Sequence, residues 1–397
     1  MFKCLYDSMK VGLISFHSFL KPGGVKNHVL GLAKEFRKRG IKTKIIVPRR
    51  KLKENYGKDI ILLGTSIPFK LWGTQGDICF NFNPVAIDKT LKKEKFDILH
   101  FHNFGIPSAW QILEKSRALN ILTFHANIEK SVLLKKLPGI LYPFKKIINW
   151  KINGIIGIAP FNLKLFKDFP GEKTVIPNGI SLKQFNPRVL PIKKFCSDDK
   201  ISILFVGRLE ERKGLIYLLK AYEILQKKFS NLQLIIVGKG PLEKDCQNFS
   251  KEHHLQKVYF EGEKSEKVMP EYFASCDIFC SPAIFGESFG IVLLEAMACQ
   301  KPIVAFSNQG YKEFMKGKKG ERFLVKPRAY QALAGKLEIL IRNKGLRREM
   351  GKWGRKEAEE YSWPKISEKI LDFYQLCART KQEKTLTEIR KSVRVIK

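Results

Sequence analysis

Residues 11–47 read VGLISFHSFLKPGGVKNHVLGLAKEFRKRGIKTKIIV, and the order of apolar and polar residues in this stretch predicts the fold. An apolar run at Val11–Phe16 predicts a short buried strand. Apolar residues then recur at helical spacing over Val25–Phe36, and Gly40 is a typical residue to end a helix. A second apolar run follows at Thr43–Val47. A strand, a helix and a strand in close succession predict a parallel β-α-β unit.

The same alternation of apolar strands and amphipathic helices continues through the 397 residues. Further strands are predicted at Asp97–Phe101, Ile121–Phe124, Ile155–Ala159, Ile201–Val206, Leu232–Val237, Val258–Glu261, Ile278–Cys280 and Pro302–Ala305. The alternation lapses over residues 185–200, where Pro, Lys, Ser and Asp predict a linker. The sequence has no fixed-period repeat, which excludes a solenoid.

The predicted fold class is therefore α/β, with two doubly wound, Rossmann-like domains facing a central cleft. We expect an N-terminal domain at residues 1–185, a linker at 186–199 and a C-terminal domain at 200–362. A final helix at 363–379 is expected to pack back on the N-terminal domain, and the charged tail at 380–397 is expected to fray. Ligands of open α/β sheets bind beyond the carboxyl ends of the strands, so the functional residues are expected there.

The composition predicts a globular protein and favours an anionic partner. Hydrophobic residues make up 44% and charged residues 28%, which excludes disordered and collagen-like classes. The net charge is +35, of which residues 1–198 carry +22 and the remainder +13. Anionic lipid, a phosphorylated substrate or nucleic acid would suit this charge, as would an ordinary surface of solvated lysines. Since no apolar stretch reaches the ~18 residues of a membrane span and the N-terminus lacks the apolar run of a signal peptide, we expect a cytosolic protein or one bound peripherally to a membrane.

The cysteines and histidines give only a weak indication of metal binding. The eight cysteines are scattered without a C-x-x-C motif, so neither a disulfide framework nor a zinc cage is predicted. His100, His102 and His125 stand at the ends of two predicted strands, but no nearby carboxylate completes a metal-binding set with them. We expect His125 to interact with a ligand by hydrogen bonding or charge, and His100 to be a hydrogen-bonded core residue.

Two strand-to-helix connections predict an anion-binding site. Gly23 and Gly24 open the first helix, whose N-terminal N–H groups can bind a phosphate. In the second half, Gly207 and Arg208 end a strand, and Lys213 precedes the next helix. Two cations around one loop can clamp a diphosphate, and solvated surface charge is the alternative. The chain has no D-x-D pair to hold a divalent cation, so these cations would have to neutralise the diphosphate.

The most specific segment is GESFGIVLLEAM, residues 286–297. Glu287 and Glu295 are eight residues apart, and within one continuous helix they would share a face. Carboxylates in so apolar a run need partners, which could be hydroxyl groups of a sugar and a ribose or structural salt bridges. The backbone N–H groups of Phe289, Gly290 and Ile291 are available to a phosphate.

Two basic, weakly amphipathic segments are typical of helices that lie on an anionic membrane. The first, residues 84–96, carries Lys89, Lys92, Lys93 and Lys95. The second, Tyr142–Lys151, mixes aromatic residues with lysines. Ordinary packing helices with solvated lysines are the alternative.

Taken together, the motifs resemble family 4 retaining glycosyltransferases of the GT-B fold, up to about Phe373. The resemblance rests, in order, on Pro22–Val25 with His28, Thr123–His125, Ile176–Ile180, Gly207-Arg208 with Lys213-Gly214, Val237–Pro241 and the segment with Glu287 and Glu295. Thr123–Lys130, Gly139–Leu141 and Gly286–Met297 are similar to bacterial phosphatidylinositol mannosyltransferases. Lys130 matches those enzymes, whereas Ala126–Glu129 replace their hydroxyl-rich run, which leaves the acceptor open.

The resemblance implies a role for each matching residue. Arg208 and Lys213 would hold the donor diphosphate, helped by the backbone at Gly23, Gly24, Gly207, Phe289, Gly290 and Ile291. Glu287 would bind the donor sugar and Glu295 the ribose. His125 would lie by the sugar and the acceptor, so the catalytic set would be His125, Glu287, Arg208 and Lys213. Lys130 and the lysines of residues 84–96 would serve the acceptor or the membrane, and transfer would retain the anomeric configuration without a metal.

We therefore expect a hexosyltransferase that uses a nucleotide sugar, GDP-mannose as the first choice and a UDP-sugar as the second, with no metal or other cofactor. The acceptor would be lipid-linked or a polysaccharide at the cytoplasmic membrane face. A nucleotide-sugar epimerase of the same fold is the alternative enzyme. A nucleic-acid-binding protein is the alternative from another class, but neither a recognition helix nor basic strands interleaved with aromatic residues accompany the charge.

Overall fold

The computed structural model describes residues 9–20, 23–51, 53–71, 74–104, 107–127, 141–197 and 199–395. The chain divides into two compact units. Unit 1 combines the residues up to Gly179 with those from Trp363 onward, and unit 2 is Ile180–Ser362. Each unit is an α/β body with a largely parallel sheet, so the predicted fold class is confirmed.

Unit 1 is built on one sheet whose strands are joined mainly by helices. Its elements before Gly179 are β1 (Lys10–Ser15), α1 (Gly24–Lys38), β2 (Lys42–Arg49), β3 (Ile60–Leu71), β4 (Thr74–Phe80), α2 (Pro84–Glu94), β5 (Ile98–His102), α3 (Ser108–Lys115), β6 (Leu119–Phe124), α4 (Leu141–Lys151), β7 (Gly154–Gly157) and β8 (Glu172–Val175). The strand order is β4-β3-β2-β1-β5-β6-β7-β8. Every residue of β5 and β6 is buried, as expected for central parallel strands covered on both faces. Among the strands that the structure describes in unit 1, the β3–β4 pair alone is antiparallel, and the sequence pattern did not predict this hairpin.

Unit 2 repeats the architecture with a smaller sheet. Its elements are β9 (Ile201–Val206), α5 (Leu215–Gln226), β10 (Leu232–Val237), α6 (Glu243–Glu252), β11 (Val258–Gly262), α7 (Met269–Ala274), β12 (Ile278–Ser281), α8 (Ile291–Ala298), β13 (Ile303–Phe306), α9 (Gln309–Met315), β14 (Leu324–Val325), α10 (Tyr330–Arg342) and α11 (Lys344–Glu359). The strand order is β11-β10-β9-β12-β13-β14, and all neighbours are parallel.

The final helix, α12 (Trp363–Val395), belongs to unit 1 and packs on α1. The Trp363 ring lies against Gly31 of α1 and against Gly179, and a β-carbon on either glycine would overlap it. The predicted helix end at residue 379 was wrong, because the helix continues to Val395. The sequence there is charged but consists mostly of good helix formers, which do not need a buried face to remain helical at the end of a long helix.

The predicted linker at 186–199 was also wrong in its role. These residues belong to unit 2, and the short 3₁₀ turn Lys193–Phe195 places the Phe195 ring against Tyr259 and Tyr272. Phe195 is only 2% exposed, and its carbonyl accepts a hydrogen bond from Gln233. A polar composition concealed one buried aromatic anchor, and the chain changes units at Gly179 instead of near residue 185.

Both sheets reverse their strand order at one point, between β1 and β5 in unit 1 and between β9 and β12 in unit 2. Loops that leave neighbouring strands in opposite directions open a crevice at the carboxyl edge of a parallel sheet. Predicted donor-binding residues follow strands at these edges: Gly23 and Gly24 after β1, Gly207 and Arg208 after β9, and Glu287 after β12. Among the described residues, no helix combines the length and hydropathy that crossing a membrane requires.

Candidate active site

In unit 2, backbone contacts join the loop after β9 to the loop after β12. The Ile284 N–H donates to the Arg212 carbonyl at 2.7 Å. Gly214 has φ +68°, and a β-carbon there would overlap the Pro282 carbonyl. Glycine at this position therefore permits both the left-handed backbone and the close approach of the two loops. The turn Glu211–Lys213 is held beside the β12 loop as a result.

Five charged side chains form a continuous array across these loops, which we call the β9–β12 charge cluster: Arg208, Glu210, Arg212, Lys213 and Glu287. Arg208 Nε lies 3.6 Å from Glu210, which also pairs with Arg212. Arg212 Nη1 and Lys213 Nζ both reach Glu287 Oε1, at 3.0 and 2.7 Å. Three cations against two carboxylates leave a positive surplus, which suits an anionic ligand.

Glu287 is ionised in this cluster. Burial by itself disfavours the charge, but the charges of Lys213 and Arg212, with their hydrogen bonds, hold the pKa of Glu287 below its ordinary value. The sequence left open whether Glu287 would bind sugar hydroxyl groups or form structural salt bridges. In the structure Glu287 forms salt bridges with Arg212 and Lys213. A carboxylate that is already ionised and held by two cations can accept hydrogen bonds from a ligand without first losing a proton.

Glu287 and Glu295 do not lie on one continuous helix, so the condition for a shared helix face is not met. The helix α8 begins at Ile291. Its N-cap, Gly290, has φ +96°, and this left-handed backbone prevents the helix from extending toward Glu287. Glu287 therefore lies in the preceding loop. A β-carbon on Gly310 would overlap the Glu287 carbonyl, so this loop also packs tightly against the start of α9.

The N-terminus of α8 presents the backbone that the sequence assigned to phosphate. First-turn N–H groups of a helix have no partner within the helix and carry its positive dipole end. The first turn of α8 contains no acidic side chain. The Phe289 ring packs against Phe314 and Tyr361, so at this position only the backbone is available to a ligand.

Glycines after β10 bring a further loop to the same edge. A β-carbon on Gly238 would overlap the Gly207 carbonyl, and one on Gly240 would overlap that of Leu209. The Leu209 N–H donates to the Lys239 carbonyl at 3.0 Å. The backbone at Gly207–Leu209 therefore packs directly against the loop of residues 238–240.

At the carboxyl edge of unit 1, histidines from separate elements come together. His102 ends β5, His125 follows β6, and His28 lies on α1. His102 Nδ1 and His125 Nε2 are 3.2 Å apart, and the His28 ring lies 4.8 Å from the His125 ring, centroid to centroid. Burial lowers the pKa of His28 to about 4, and that of His125 well below its ordinary value, so these imidazoles are neutral at pH 7.

His100, which precedes this cluster, is a satisfied core residue as predicted. Its ring nitrogens bond to the Tyr374 hydroxyl and the Thr123 hydroxyl, each at 2.6 Å. The residue is fully buried. It therefore positions β5 and β6 against α12 and has no nitrogen left for a ligand.

Both halves of the chain match glycosyltransferase family models. Residues 190–357 match the family model "Glycosyl transferases group 1", and residues 22–184 match "Glycosyltransferase Family 4". A phosphatidyl-myo-inositol mannosyltransferase from Mycobacterium leprae is 30% identical, over 93% of this chain and 97% of its own. The chain belongs to glycosyltransferase family 4. The predicted family is thus confirmed, and so is the prediction that the chain is a glycosyltransferase.

Other similar proteins agree with this assignment. The phosphatidyl-myo-inositol mannosyltransferase of Mycolicibacterium smegmatis is 28% identical to this glycosyltransferase, over 92% of this chain and 94% of its own. Sucrose-phosphate synthase from Thermosynechococcus elongatus has a TM-score of 0.73 at 19% identity, over 94% and 100% of the two chains. Anabaena Alr3699/HepE in complex with UDP and glucose has a TM-score of 0.70 at 20% identity, over 92% and 99%. At such identities these structures show the shared GT-B fold alone.

The predicted site residues of this glycosyltransferase fall into separate groups. Arg208, Lys213 and Glu287 meet in the β9–β12 charge cluster, whereas Gly23 and Gly24 are exposed at the start of α1 in unit 1. The lysines of the first basic segment are exposed on and just after α2: Lys89, Lys92, Lys93 and Lys95. Lys130 lies outside the described residues.

Sequence reasoning missed two members of the charge cluster, Glu210 and Arg212. The available signal was the run Glu210-Glu211-Arg212-Lys213, in which two acids are followed by two bases within one strand-to-helix connection. Asn178 was also missed as a functional neighbour, although its Oδ1 lies 2.9 Å from His28 Nδ1. That contact joins residues 150 positions apart and leaves no trace in local sequence.

Glu295 generates a pH-dependent prediction. Burial, with a contribution from the Glu266 charge, raises the pKa of Glu295 to about 8. The folded chain therefore keeps a proton that the unfolded chain releases above its ordinary pKa of 4.5. The stabilising contribution is fully present below pH 4.5 and is lost as the pH rises through 8, by up to about 1.4 kcal/mol per pH unit. The Gln side chain of Glu295→Gln cannot titrate, so this variant should melt at a higher temperature than the parent at pH 8. The melting-temperature difference, variant minus parent, should be at least about 2 °C larger at pH 8 than at pH 5.

Calorimetric melting of parent and variant at both pH values measures this difference. Glu252→Gln, which replaces an exposed carboxylate on α6, serves as the matched control and should show no such pH dependence. If the difference in melting temperature between parent and Glu295→Gln were the same at pH 5 and pH 8, the result would contradict a proton held on Glu295.

Proposed function

We propose that this family 4 glycosyltransferase moves a hexose, mannose as the first choice, from a nucleotide-diphosphate sugar to a lipid-linked or polysaccharide acceptor. The observation that carries the donor side is the β9–β12 charge cluster at the switch point of unit 2. The mycobacterial relatives are named phosphatidyl-myo-inositol mannosyltransferases, which supports mannose and a lipid acceptor. Two neighbouring solved structures are complexes with UDP, which keeps a UDP-sugar as the second choice.

In this proposal the charge cluster acts on the leaving group. Breaking the glycosidic bond to a nucleoside diphosphate leaves negative charge on the diphosphate, and preorganised cations lower that barrier. Arg208, Arg212 and Lys213 would supply the charge, and the first turn of α8 would add N–H donors. The cations are already fixed by Glu210 and Glu287, so little reorganisation is required when the bond breaks. A metal is not needed for this step.

Glu287 would exchange partners when the donor binds. Its Oε1 bonds to both Lys213 and Arg212, and a diphosphate would compete for those cations. The carboxylate, ionised throughout, would then accept hydrogen bonds from hydroxyl groups of the donor sugar. The ribose hydroxyls would similarly bind Glu295, which must lose its proton to accept from both of them.

His125 would lie by the sugar and the acceptor, the role that the family resemblance implies. Its neutral imidazole can accept or donate one hydrogen bond at each nitrogen without adding charge beside a developing oxocarbenium-like centre. Transfer would proceed with retention of the anomeric configuration. The protein would work at the cytoplasmic face of a membrane.

Nucleotide binding tests the donor site. Calorimetric titration with GDP, UDP and ADP, each with and without a chelator, is expected to show a preference for GDP that chelation does not change, because the cations that bind the diphosphate belong to the chain. A UDP preference would keep the mechanism but replace mannose by another hexose. Failure of all three nucleotides to bind would contradict the proposed function.

Glu287→Ala tests whether Glu287 acts on the donor sugar while the cations of the charge cluster bind the diphosphate. Turnover should fall at least ~100-fold, while the Kd for the preferred nucleoside diphosphate should stay within about fivefold, because Glu287 faces the sugar and competes for the cations. Turnover is measured as nucleoside diphosphate release from the nucleotide sugar, with and without phosphatidylinositol vesicles. Exposed Glu263→Ala is the matched control. Unchanged turnover in Glu287→Ala would remove Glu287 from the reaction.

The α2 surface supports membrane association. Its two carboxylates are neutralised within unit 1, Asp88 by Lys115 at 2.8 Å and Glu94 by Lys10 at 2.6 Å. The segment's lysines are exposed and form no ion pair with the described residues: Lys89, Lys92, Lys93 and Lys95. Just before them Phe82 is 78% exposed and Val85 69% exposed. Exposed apolar side chains beside unpaired lysines suit an anionic interface.

Replacing the four α2 lysines by glutamine should weaken binding to vesicles that contain anionic phospholipid at least tenfold, with little change in nucleotide affinity. Each lysine near an anionic surface contributes up to ~1 kcal/mol. The control replaces four exposed lysines of unit 2 in the same way: Lys251, Lys326, Lys344 and Lys352. If both variants lost the same vesicle affinity, or if neither lost any, these four lysines would be ordinary solvated charges and not a membrane-binding surface.

The alternatives are separated by the same assays. An epimerase would convert the nucleotide sugar without any acceptor, which product analysis detects. A nucleic-acid binder would bind duplex with a steep dependence on salt and would ignore nucleotide sugars.

A further inference from the structure

The histidine cluster of unit 1 contains polar atoms that the described chain does not satisfy. His28 is 3% exposed and His102 fully buried, yet among the described residues neither His28 Nε2 nor His102 Nε2 has a hydrogen-bond partner. A buried polar nitrogen without a partner is costly and calls for an explanation, such as a bound ion. The unpartnered Nε2 of His28 belongs to a ring that lies 5.1 Å from the His102 ring and 4.8 Å from the His125 ring, which points to a ligand shared by the three rings.

The geometry of the three rings suits a metal ion. One nitrogen from each of His28, His102 and His125 lies within 4.8 Å of the other two. His102 Nδ1 and His125 Nε2 are 3.2 Å apart, close to the about 3.3 Å that separates two ligands of tetrahedral zinc with Zn–N bonds of about 2.0 Å.

The surroundings prepare these rings for coordination. Asn178 Oδ1 lies 2.9 Å from His28 Nδ1 and fixes the proton on that nitrogen, which directs the lone pair to Nε2. Metal-binding histidines commonly donate their other ring N–H to an oxygen in this way. His125 retains 7% exposure, so the cluster is not sealed from solvent.

We propose that His28, His102 and His125 form a site for Zn²⁺ or a similar divalent transition metal, with water as the fourth ligand. Three histidines and an open position are a recurrent zinc arrangement. The sequence placed His100 beside His102 and His125 without predicting a metal site, and both nitrogens of His100 are bonded within the core. The third ligand comes from α1, far away in sequence.

Metal binding would inhibit the enzyme. This consequence, unlike the binding itself, rests on the proposed function, in which His125 uses its ring nitrogen toward the sugar and acceptor. A metal on that nitrogen would withdraw it from the reaction. Transfer would thus need no metal and would be reversibly blocked by one.

Cobalt provides a test that does not depend on turnover. The chelator-treated, desalted protein is titrated with Co²⁺, and one ion per chain is expected to give the visible absorption of tetrahedral cobalt, which Zn²⁺ then abolishes. Absence of a stoichiometric site in the parent protein would overturn the proposal, whatever the variants do.

Variants assign the site to its ligands. His102→Gln is expected to abolish stoichiometric binding, and Asn178→Ala to weaken it about 10–100-fold through loss of the oxygen that orients His28. His254→Gln, at an exposed histidine of unit 2, is the matched control and should bind as the parent does. Should His102→Gln fail to fold, Asn178→Ala decides: parent-like affinity in that variant would overturn the assignment to these rings.

Activity is then measured separately. Zn²⁺ added at one ion per chain should lower nucleoside diphosphate release at least tenfold, and a chelator should restore it. Cobalt binding without inhibition would keep the metal site but remove His125 from the reaction. Inactivity both with and without metal, together with normal cobalt binding, would count against the proposed function and not against the site.

Discussion

Parallel pairing of β9 with β12, with Ile278 opposite Ile203, is the interaction on which the charged site of unit 2 depends. Because parallel strands end at the same edge, the loop after each strand starts from the same place although 70 residues separate them. The Arg212 carbonyl and the Ile284 N–H then join the two loops. Lys213 and Arg212 reach Glu287 only because this backbone contact exists.

The close approach of these loops explains why glycines surround the site. Gly214, Gly238 and Gly310 each lie where a β-carbon would overlap a neighbouring carbonyl group. Their role is to let one backbone lie against another, so that charged side chains from several loops converge without strain. In unit 1 the same edge geometry brings histidines after β5 and β6 together, and there burial keeps the rings neutral.

The limits of prediction can be traced to particular residues. The β-α alternation was readable because buried parallel strands such as β5 and β6 are continuous apolar runs. The hairpin of β3 and β4 was not predicted, although β3 begins with the apolar run Ile60–Leu63; β4, at the edge of the sheet, carries no such run. Phe195 was missed in a polar segment because one buried ring is enough to attach a segment to a core. Whether one helix joins Glu287 to Glu295 was left open by the sequence, because periodicity does not include the left-handed backbone of Gly290 that precedes the helix.

The sequence by itself determined the two α/β units, the positions of most strands, the family and the identity of Arg208, Lys213, Glu287 and His125 as the residues to examine. These follow from local patterns of polarity and from short motifs. Only the tertiary structure decided that Arg212 shares Glu287 with Lys213, that His28 joins His102 and His125, and that His100 does not. The reason is physical: such contacts join residues 23 to 150 positions apart, and their distances depend on strand order and backbone approach, which no local pattern records.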